Sequence, residues 1–253
     1  MIASAPVIVV CGHYGVGKTN FAINLALDAA ADGHDVTLAD LDVVNPYFRS
    51  SDYRSLLEGR GVQVVAPVMA GTTLDAPSIS GRVSTEIEQA QASRLPEAAE
   101  FCRSNDPAAA ARHLCERVLI IDAGGDDAGA TALGRFAPAI DRAPYEMLYV
   151  VNARRNLTQQ PEEAAAVLRE IEAKARLAAT AVVNNTHLKQ DTDEQTIARG
   201  VPFARAVADK LGLPVACTTV PTRLVDRESG LFGPNKTPET LYPVQVYVRT
   251  PWE

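Results

Sequence analysis

The chain has 253 residues, a length that fits one large α/β domain without requiring a second. Its residues are 47% hydrophobic but only 6% aromatic, so the core must be built mainly from aliphatic side chains. The net charge of −7 argues against a general binder of nucleic acid or of anionic membranes, because those partners attract proteins with excess lysine and arginine.

The four cysteines and four histidines are scattered, and no two cysteines form a C-x-x-C pair. This usage is typical of a reduced, cytoplasmic protein, so Cys102 and Cys115 are interpreted as ordinary buried thiols. The residues from Met1 to Pro6 lack a basic segment and lead into a strand, so no signal peptide is expected. No stretch approaches the roughly 20 apolar residues of a membrane-spanning helix. We therefore expect a cytoplasmic protein.

Apolar runs about one strand long alternate with segments of helical periodicity. In chain order the predicted strands are Val7–Cys11, Val36–Ala39, Val62–Ala66, Arg117–Asp122, Met147–Val151, Ala181–Val183, Val215–Thr219 and an edge strand at Gln245–Val248. The predicted helices are Thr19–Ala31, Tyr53–Glu58, Pro161–Leu177 and Glu194–Leu211. The alternation predicts an α/β fold with a doubly wound, mostly parallel sheet and helices on both faces. Ligands of such sheets bind at the carboxyl ends of the strands.

One segment interrupts this alternation. Residues Pro67 to Glu116 are rich in alanine, serine and proline, and the second half of the segment is expected to be helical. Because no repeat, low-complexity tract or linker divides the chain, we expect a single domain over residues 1–253. Within it, residues 67–116 are a candidate lid or partner-binding insertion.

A glycine-rich loop joins the first predicted strand to the first predicted helix. Its sequence, Gly12-His13-Tyr14-Gly15-Val16-Gly17-Lys18-Thr19, fits the phosphate-binding motif G-x-x-x-x-G-K-[ST] in the context that the motif requires. Backbone N–H groups of such a loop and the helix N-terminus surround phosphate oxygens. Lys18 is expected to reach the β- and γ-phosphates, and the Thr19 hydroxyl to bind Mg²⁺. The expected nucleotide-binding residues are these eight and Asn20, the next in the chain.

Acidic residues follow two other predicted strands. Asp122 ends one of them, where a carboxylate holds Mg²⁺, usually through water. It also begins a D-x-x-G motif, whose last residue, Gly125, is expected to sense the γ-phosphate. Asp42 follows the second strand and is expected to orient the attacking water and to bind Mg²⁺ through water, although Asp40 competes with it for the catalytic role. The expected catalytic residues are Lys18 and Asp42, and the expected metal ligands are Thr19, Asp42 and Asp122.

Together these three motifs resemble the MinD/ParA/Mrp group of P-loop ATPases, the class that also contains the nitrogenase iron protein and dethiobiotin synthetase. In that group the second strand ends in D-x-D, here Asp40-Leu41-Asp42, and the second aspartate is implicated in activating water. The resemblance spans most of the chain through strand order and motif spacing. It implies a P-loop ATPase that uses ATP and Mg²⁺.

The resemblance also implies a site for the base. Members of the group carry an asparagine at the end of a late strand that bonds adenine, and a proline-containing loop covers it; Asn184 and Pro221 match these places. A guanine-binding site would have N-K-x-D, whereas the tetrad here is Asn184-Asn185-Thr186-His187, without a carboxylate. ATP is therefore favoured over GTP. The alternative is that these asparagines form only a turn.

The chain departs from the group at the phosphate loop. Members normally carry a signature lysine after the first loop glycine, which reaches the partner subunit's nucleotide in an ATP-sandwich dimer. This chain has His13 there, and Tyr14 replaces the usual glycine. Arg49 is a candidate substitute for that lysine, and the alternative is a solvated surface arginine. The absence of a C-x-x-C or C-x-C pair argues against an iron–sulfur carrier, and the tail from Leu241 to Glu253 lacks the periodicity of an amphipathic membrane helix.

Three functions are compatible with these residues. The first is an ATP-hydrolysing switch, slow without its unknown protein partner, that forms an ATP-dependent homodimer. The second is a small-molecule, carboxylate-activating enzyme resembling dethiobiotin synthetase, with residues 67–116 forming a wall of its substrate pocket. The third is an adapter that binds nucleotide without hydrolysing it, against which the retained Asp42 argues. We expect the first, with no nucleic-acid partner.

Overall fold

The computed structural model describes residues 5–42, 50–66, 76–97, 100, 116–125, 127–156, 158–187, 189–225 and 240–248. These residues have an α/β fold built on one eight-stranded sheet. Its strands are β1 (Val7–Cys11), β2 (Asp35–Leu41), β3 (Val62–Val65), β4 (Arg117–Ala123), β5 (Tyr145–Val151), β6 (Ala181–Asn184), β7 (Val215–Pro221) and β8 (Leu241–Val244). They are all parallel, in the order β3-β2-β4-β1-β5-β6-β7-β8.

Helices connect the strands, and local chemistry explains where two of them begin. Gln160 and Glu163 form a capping box at the start of the helix Pro161–Ala175, and at the start of the helix Glu194–Leu211 the Asp193 carboxylate accepts the Thr196 N–H at 2.7 Å. Among the described residues, no helix combines the length and the apolarity that crossing a bilayer would require. The helices are α1 (Lys18–Ala31), α2 (Arg54–Glu58), α3 (Ala76–Ala92), α4 (Asp127–Gly134), α5 (Ala137–Ile140), α6 (Pro161–Ala175), α7 (Glu194–Leu211) and α8 (Thr222–Val225).

The sheet separates two hydrophobic cores. In β1, Val9 points into one core and Val10 into the other, as the alternation of side chains along a strand requires. Helices α3 to α7 cover the first core, and α1 and α2 cover the second with side chains such as Phe21 and Leu57. Because both faces of the sheet are covered, its central strands are apolar on both sides.

The strand order places the loop after β1 at the centre of the carboxyl edge. From β1 the chain runs outward to β3, returns to the middle at β4, and then continues from β5 to β8 on the other side. In open parallel sheets, ligands bind at the carboxyl ends of the strands where the order reverses. The glycine-rich loop and the ends of β2 and β4 meet at this point.

The predicted parallel sheet is confirmed, and seven of the eight predicted strands end within two residues of the observed limits. The prediction of an edge strand at Gln245–Val248 is wrong, because β8 is formed by Leu241–Val244 instead. After β8, Asn24 accepts the Gln245 N–H and Asn20 accepts the Tyr247 N–H, both at 2.8 Å. Side chains of α1 thus bind backbone groups that a strand would pair with the sheet.

Helix α3 occupies the first half of the 67–116 segment, whereas the sequence indicated helix in the second half. Val83 and Ile87 are fully buried in the first core, and Gln91 Nε2 donates to the Ala139 carbonyl oxygen at 3.0 Å. The helix therefore belongs to the layer that covers the sheet. The expectation of a lid applies only to parts of the segment outside the described residues, chiefly 67–75 and 101–115.

Candidate functional site

The loop that follows β1 curls around the N-terminus of α1. Gly12 has a φ of 145°, and an added Cβ would lie 2.5 Å from the Val150 carbonyl oxygen, so the backbone there requires glycine. Gly17, with a φ of 94°, immediately precedes Lys18, the first residue of α1. The loop backbone and the positive end of the helix dipole therefore face the same space, and this arrangement favours a phosphate.

Lys18 is buried within this loop, and its Nζ donates to the His13 carbonyl oxygen at 3.1 Å. Gly125, which follows β4, lies beside it. An added Cβ on Gly125 would be 2.5 Å from Lys18 Nζ and 2.8 Å from the Tyr14 backbone nitrogen. The structure thus brings the glycine of the predicted D-x-x-G motif against the phosphate loop, in a position that no side chain could occupy without displacing the loop.

Asp122 and Thr19 meet beside the phosphate loop. Asp122 is only 1% exposed, and its carboxylate forms a hydrogen bond with the Thr19 side chain. Its Oδ2 has no hydrogen-bond partner in the part of the chain that the structure describes, although buried carboxylate oxygens normally have one. Burial, and then the charge of Asp40, raise the pKa of Asp122 to about 7, while Lys18 and Thr19 act in the opposite direction.

These surroundings fit a magnesium ion. Mg²⁺ prefers oxygen ligands, and proteins usually hold it with one or two carboxylates together with phosphate oxygens of the substrate. Asp122 offers a buried carboxylate oxygen with no partner among the described residues, and Thr19 offers a hydroxyl next to it. A divalent cation here would offset the electrostatic cost of keeping Asp122 ionised.

Asp40 and Asp42 end the same strand but have different surroundings. Asp40 is fully buried, and in the sheet it is the register neighbour of Asp122. Its Oδ1 accepts the backbone N–H of Asp42 at 3.0 Å, and its Oδ2 accepts that of Ser51 at 3.1 Å. Burial raises the pKa of Asp40. Asp42 is 9% exposed, and after burial and the charge of Asp40 its own charge also raises the pKa of Asp122, the candidate magnesium ligand.

The residue predicted to contact adenine, Asn184, is fully buried at the end of β6. Its Nδ2 donates to Thr218 Oγ1 at 3.2 Å, and its Oδ1 accepts the Thr186 N–H at 3.2 Å. Both polar groups of the side chain are therefore bonded within the protein. Because Asn184 is fully buried, an adenine contact by its side chain would require it to be uncovered.

The next residue, Asn185, ties β6 to the phosphate loop. Its Nδ2 donates to the Val16 carbonyl oxygen at 2.7 Å, and its Oδ1 accepts the Thr219 hydroxyl at 2.6 Å. The side-chain Nδ2 of Asn185 is so close to Gly17 that it would overlap a Cβ there. The loop after β6 and the phosphate loop are therefore in close contact. Asn185 was not singled out from the sequence, where it reads only as part of a tandem of polar residues after a strand.

Pro221, the other predicted base-binding residue, borders an open cleft at the carboxyl ends of β7 and β8. The cleft has a volume of about 430 Å³, within the range of small-molecule sites. Its lining is Gln190, Pro221, Thr222, Arg223, Val244, Gln245 and Val246. Its backbone wall at Gln245 is held by the side chains of Asn20 and Asn24, which belong to the helix that follows the phosphate loop.

Asn20 and Arg155 are two further residues near the phosphate loop. Asn20 is predicted to bind nucleotide. Its side chain donates to the Gln245 carbonyl oxygen at 2.9 Å and accepts the Tyr247 N–H, so a contact with the nucleotide would be made by its backbone. The guanidinium group of Arg155, which the sequence did not indicate, lies against Gly15.

Other residues named from the sequence lie outside the described residues. These include Arg49, the candidate substitute for the signature lysine, and the two cysteines Cys102 and Cys115. The two cysteines that are described, Cys11 and Cys217, are buried, and burial raises the pKa of each thiol to about 12. They are therefore protonated core residues.

No family model and no curated protein matches the chain. Solved structures match it at low identity. The signal recognition particle receptor FtsY from Elizabethkingia anophelis, in complex with GDP, is 20% identical, with a TM-score of 0.47 over 84% of this chain and 56% of that chain. The cell division protein FtsY from Thermotoga maritima is 19% identical, with a TM-score of 0.48 over 86% and 62%. The signal recognition particle 54 kDa protein from Aeropyrum pernix, in complex with GDP, is 17% identical, with a TM-score of 0.46 over 84% and 40%.

The chain spans between 40% and 62% of the length of these three proteins. At such identities the likeness concerns the fold alone. The motif order along the parallel sheet and the loop after β1 are those of a P-loop nucleoside triphosphatase, so this is the fold of the chain.

Proposed function

We propose that this chain binds Mg-ATP and hydrolyses it, as a MinD/ParA-like switch that acts on a protein partner. The observation that supports this most is the meeting of the end of β4 with the phosphate loop. There Asp122 bonds with Thr19, and Gly125 lies beside Lys18. A strand-ending aspartate and a glycine held in this way provide a metal ligand and a contact to the terminal phosphate in one segment.

Each residue of the site has a distinct part in the proposed reaction. Lys18 exchanges the His13 carbonyl oxygen for phosphate oxygens, and its charge stabilises the phosphoryl group during transfer. Thr19 and Asp122 hold Mg²⁺, which supplies charge neutralisation and orientation of the phosphates when it is bound. Asp42, whose charge acts on Asp122, orients the attacking water and accepts its proton.

The switch would use the contacts that Gly125 and Asp40 make. Gly125 lies so close to Lys18 Nζ and the Tyr14 backbone that a phosphate entering the loop would change its contacts. Asp40 joins Asp42 to Ser51, the two ends of the segment that contains residues 43–49. A partner that binds beside Asp42 and Ser51 would thus respond to the chemistry at Asp42.

We further propose that the base is adenine. The tetrad after β6 contains no carboxylate that could accept from the guanine N1 and N2 groups, and starting the tetrad at Asn185 does not introduce one. The cleft beside Pro221 has the volume for a purine and lies on the β6 to β8 side of the phosphate loop. The argument from Asn184 itself is weaker in this structure, because its side chain bonds within the protein.

One feature favours the second candidate, a carboxylate-activating enzyme resembling dethiobiotin synthetase. Burial, and then the charge of Lys18, lower the pKa of His13 below its ordinary value of 6.5. The side chain that replaces the signature lysine is therefore neutral at pH 7, which does not suit a cation that reaches a second nucleotide. In the switch proposal Arg49 takes that part, and ATP-dependent dimerisation would be lost in Arg49→Ala but retained in His13→Ala.

Phosphate release by the purified full chain distinguishes the two functions. With Mg-ATP alone, the switch proposal predicts slow turnover that Asp42→Ala abolishes. If phosphate release instead requires an added small carboxylic acid, the carboxylate-activating enzyme is the better account. Binding of Mg-ATP without turnover under either condition would contradict both and support a non-hydrolysing adapter.

A further inference from the structure

The loop that follows β5 is held in place next to the phosphate loop. Asn152 Oδ1 accepts the Arg154 N–H at 2.9 Å, and Asn152 Nδ2 donates to the His187 carbonyl oxygen at 3.3 Å. The Arg155 N–H donates to the Asn152 carbonyl oxygen at 3.1 Å. Hydrogen bonds within the turn and to the loop after β6 thus fix the backbone that carries Arg155. Ligand binding would therefore cost little conformational entropy in this backbone.

This loop directs one guanidinium group onto the phosphate loop. A Cβ built on Gly15 would lie 3.5 Å from both Cζ and Nε of Arg155 and 3.6 Å from its Nη1. The guanidinium plane therefore covers Gly15, a glycine with a φ of 73° in the middle of the motif. Arg154 and Arg155 are both exposed, and the three atoms nearest to a Cβ on Gly15 all belong to Arg155.

The negative charge of the expected ligand favours a further cation, which this arginine can supply. A triphosphate carries about four negative charges at neutral pH. Mg²⁺ and Lys18 offset three of them, and the nearby Asp42 and Asp122 add negative charge to the site. His13 supplies no compensating cation, because burial and Lys18 lower its pKa. A guanidinium group against the loop would compensate this charge, and its fork of N–H donors matches phosphate oxygens.

We propose that Arg155 is a phosphate-binding residue of this site, and that its guanidinium group contacts the phosphate chain of a nucleotide held by the P-loop of the same subunit. The inference rests on the proposed function, because it presupposes a nucleotide in the loop. It gives the phosphate site a second cation, from the turn after β5, in addition to Lys18 of the loop itself. Arg155 would move from Gly15 to the phosphates without a change in the backbone that carries it.

Calorimetry with Mg-ATP on the full chain tests this assignment. Arg155→Gln keeps most of the length of the side chain and removes the charge, and we expect it to weaken Mg-ATP binding roughly 10- to 100-fold. Arg155→Lys keeps the charge without the fork, and an intermediate loss is expected. The adjacent Arg154→Gln is the matched control, with the same change of net charge, and its affinity should equal that of the unchanged protein.

The outcomes separate the inference from the proposed function. If the unchanged protein binds Mg-ATP and Arg155→Gln binds it equally well, the inference is overturned and the proposed function stands. An equal loss in Arg154→Gln would also overturn it, because the effect would then be one of general surface charge. If the unchanged protein does not bind Mg-ATP, both fail. The melting temperature without nucleotide should be the same in all three variants; a fall confined to Arg155→Gln and Arg155→Lys would indicate a structural role and contradict the assignment.

Discussion

The carboxylate of Asp40 accepts the backbone N–H of Asp42 at 3.0 Å, so the first aspartate of the D-x-D pair positions the second. The other oxygen of Asp40 accepts the Ser51 N–H at 3.1 Å. A fully buried carboxylate that holds two backbone groups in this way is suited to fix a loop. Asp42 is slightly more exposed than Asp40, and its charge acts on Asp122, so it is suited to act on a water molecule.

The two aspartates should therefore respond differently to substitution. Asp42→Ala is expected to retain Mg-ATP binding and to slow hydrolysis by roughly 10²–10⁴-fold, the usual effect of a positioned base. Asp40→Ala is expected to lower the free energy of unfolding by about 1–3 kcal/mol, because it leaves one buried and one partly buried N–H group without their acceptor. Single-turnover phosphate release and urea denaturation measure the two effects. Near-normal hydrolysis in Asp42→Ala, with the larger catalytic loss in Asp40→Ala, would show that the roles are reversed.

Asp122 should destabilise the nucleotide-free protein at neutral pH. Its pKa in the folded state is about 7, above its ordinary value of 3.8, so the folded protein retains a proton that the unfolded chain loses. The stability associated with this group is thus fully present below about pH 4 and declines as the pH rises toward about 7. Asp122→Asn removes the charge, and we expect it to raise the free energy of unfolding at pH 8 by about 1–3 kcal/mol.

The same substitution should weaken magnesium-dependent nucleotide binding, because an amide is a poor replacement for a carboxylate as a Mg²⁺ ligand. Thermal unfolding without nucleotide at pH 4 and pH 8, together with Mg-ATP titration, measures both effects. At pH 4 the advantage of the variant should be largely lost. A variant that is less stable than the original protein at pH 8 would contradict the electrostatic account of this site.

Asn185 should stabilise the conformation of the phosphate loop. Its side chain links the Val16 carbonyl oxygen to the Thr219 hydroxyl. Asn185→Ala is expected to cost about 1–3 kcal/mol of stability and to reduce Mg-ATP affinity, because the loop loses a buried support. Thr219→Val is the control, since it removes the hydroxyl contacts with Asn185 Oδ1 and with the Asn184 carbonyl oxygen but keeps the bond to Val16, and it should affect affinity less. Equal affinities in Asn185→Ala and the unchanged protein would mean that the link to Val16 does not hold the loop for binding.

The site should prefer ATP to GTP by about 10-fold or more, because a guanine would leave its N1 and N2 donors without the carboxylate that they need. Competition of each nucleotide against a fluorescent ATP analogue measures this ratio in a single assay. Equal competition would show that the base is held in a way that does not depend on the tetrad after β6.

Much of the fold could be predicted from the sequence because two local signals agree. The central strands are apolar on both faces, and the glycine loop between β1 and α1 requires a strand before it and a helix after it. The prediction at Gln245–Val248 failed because alternating residues at the end of a chain do not reveal what their backbone binds. Here the partners are Asn20 and Asn24, more than two hundred residues earlier.

The site was only partly predictable for a related reason. The positions of motif residues such as Lys18 and Asp122 can be predicted from the local sequence. Lys18 lies in the glycine-rich loop, and Asp122 lies at the end of an apolar strand. Asn185 and Arg155 are recognisable only once the sheet order brings β6 and β5 beside the phosphate loop. For tandem asparagines, local sequence also does not tell which one points toward the loop.

Binding of Mg-ATP to the unchanged protein and to Lys18→Ala tests the central claim most directly. In this account Lys18 contributes charge to the proposed phosphate site, and its Nζ donates to a carbonyl oxygen of the loop itself, so its removal should leave the melting temperature nearly unchanged. The account predicts roughly micromolar or tighter binding by calorimetry for the unchanged protein in the presence of Mg²⁺, and no measurable binding for Lys18→Ala. Micromolar affinity that survives in the variant, or an unchanged protein that binds no Mg-ATP, would contradict it.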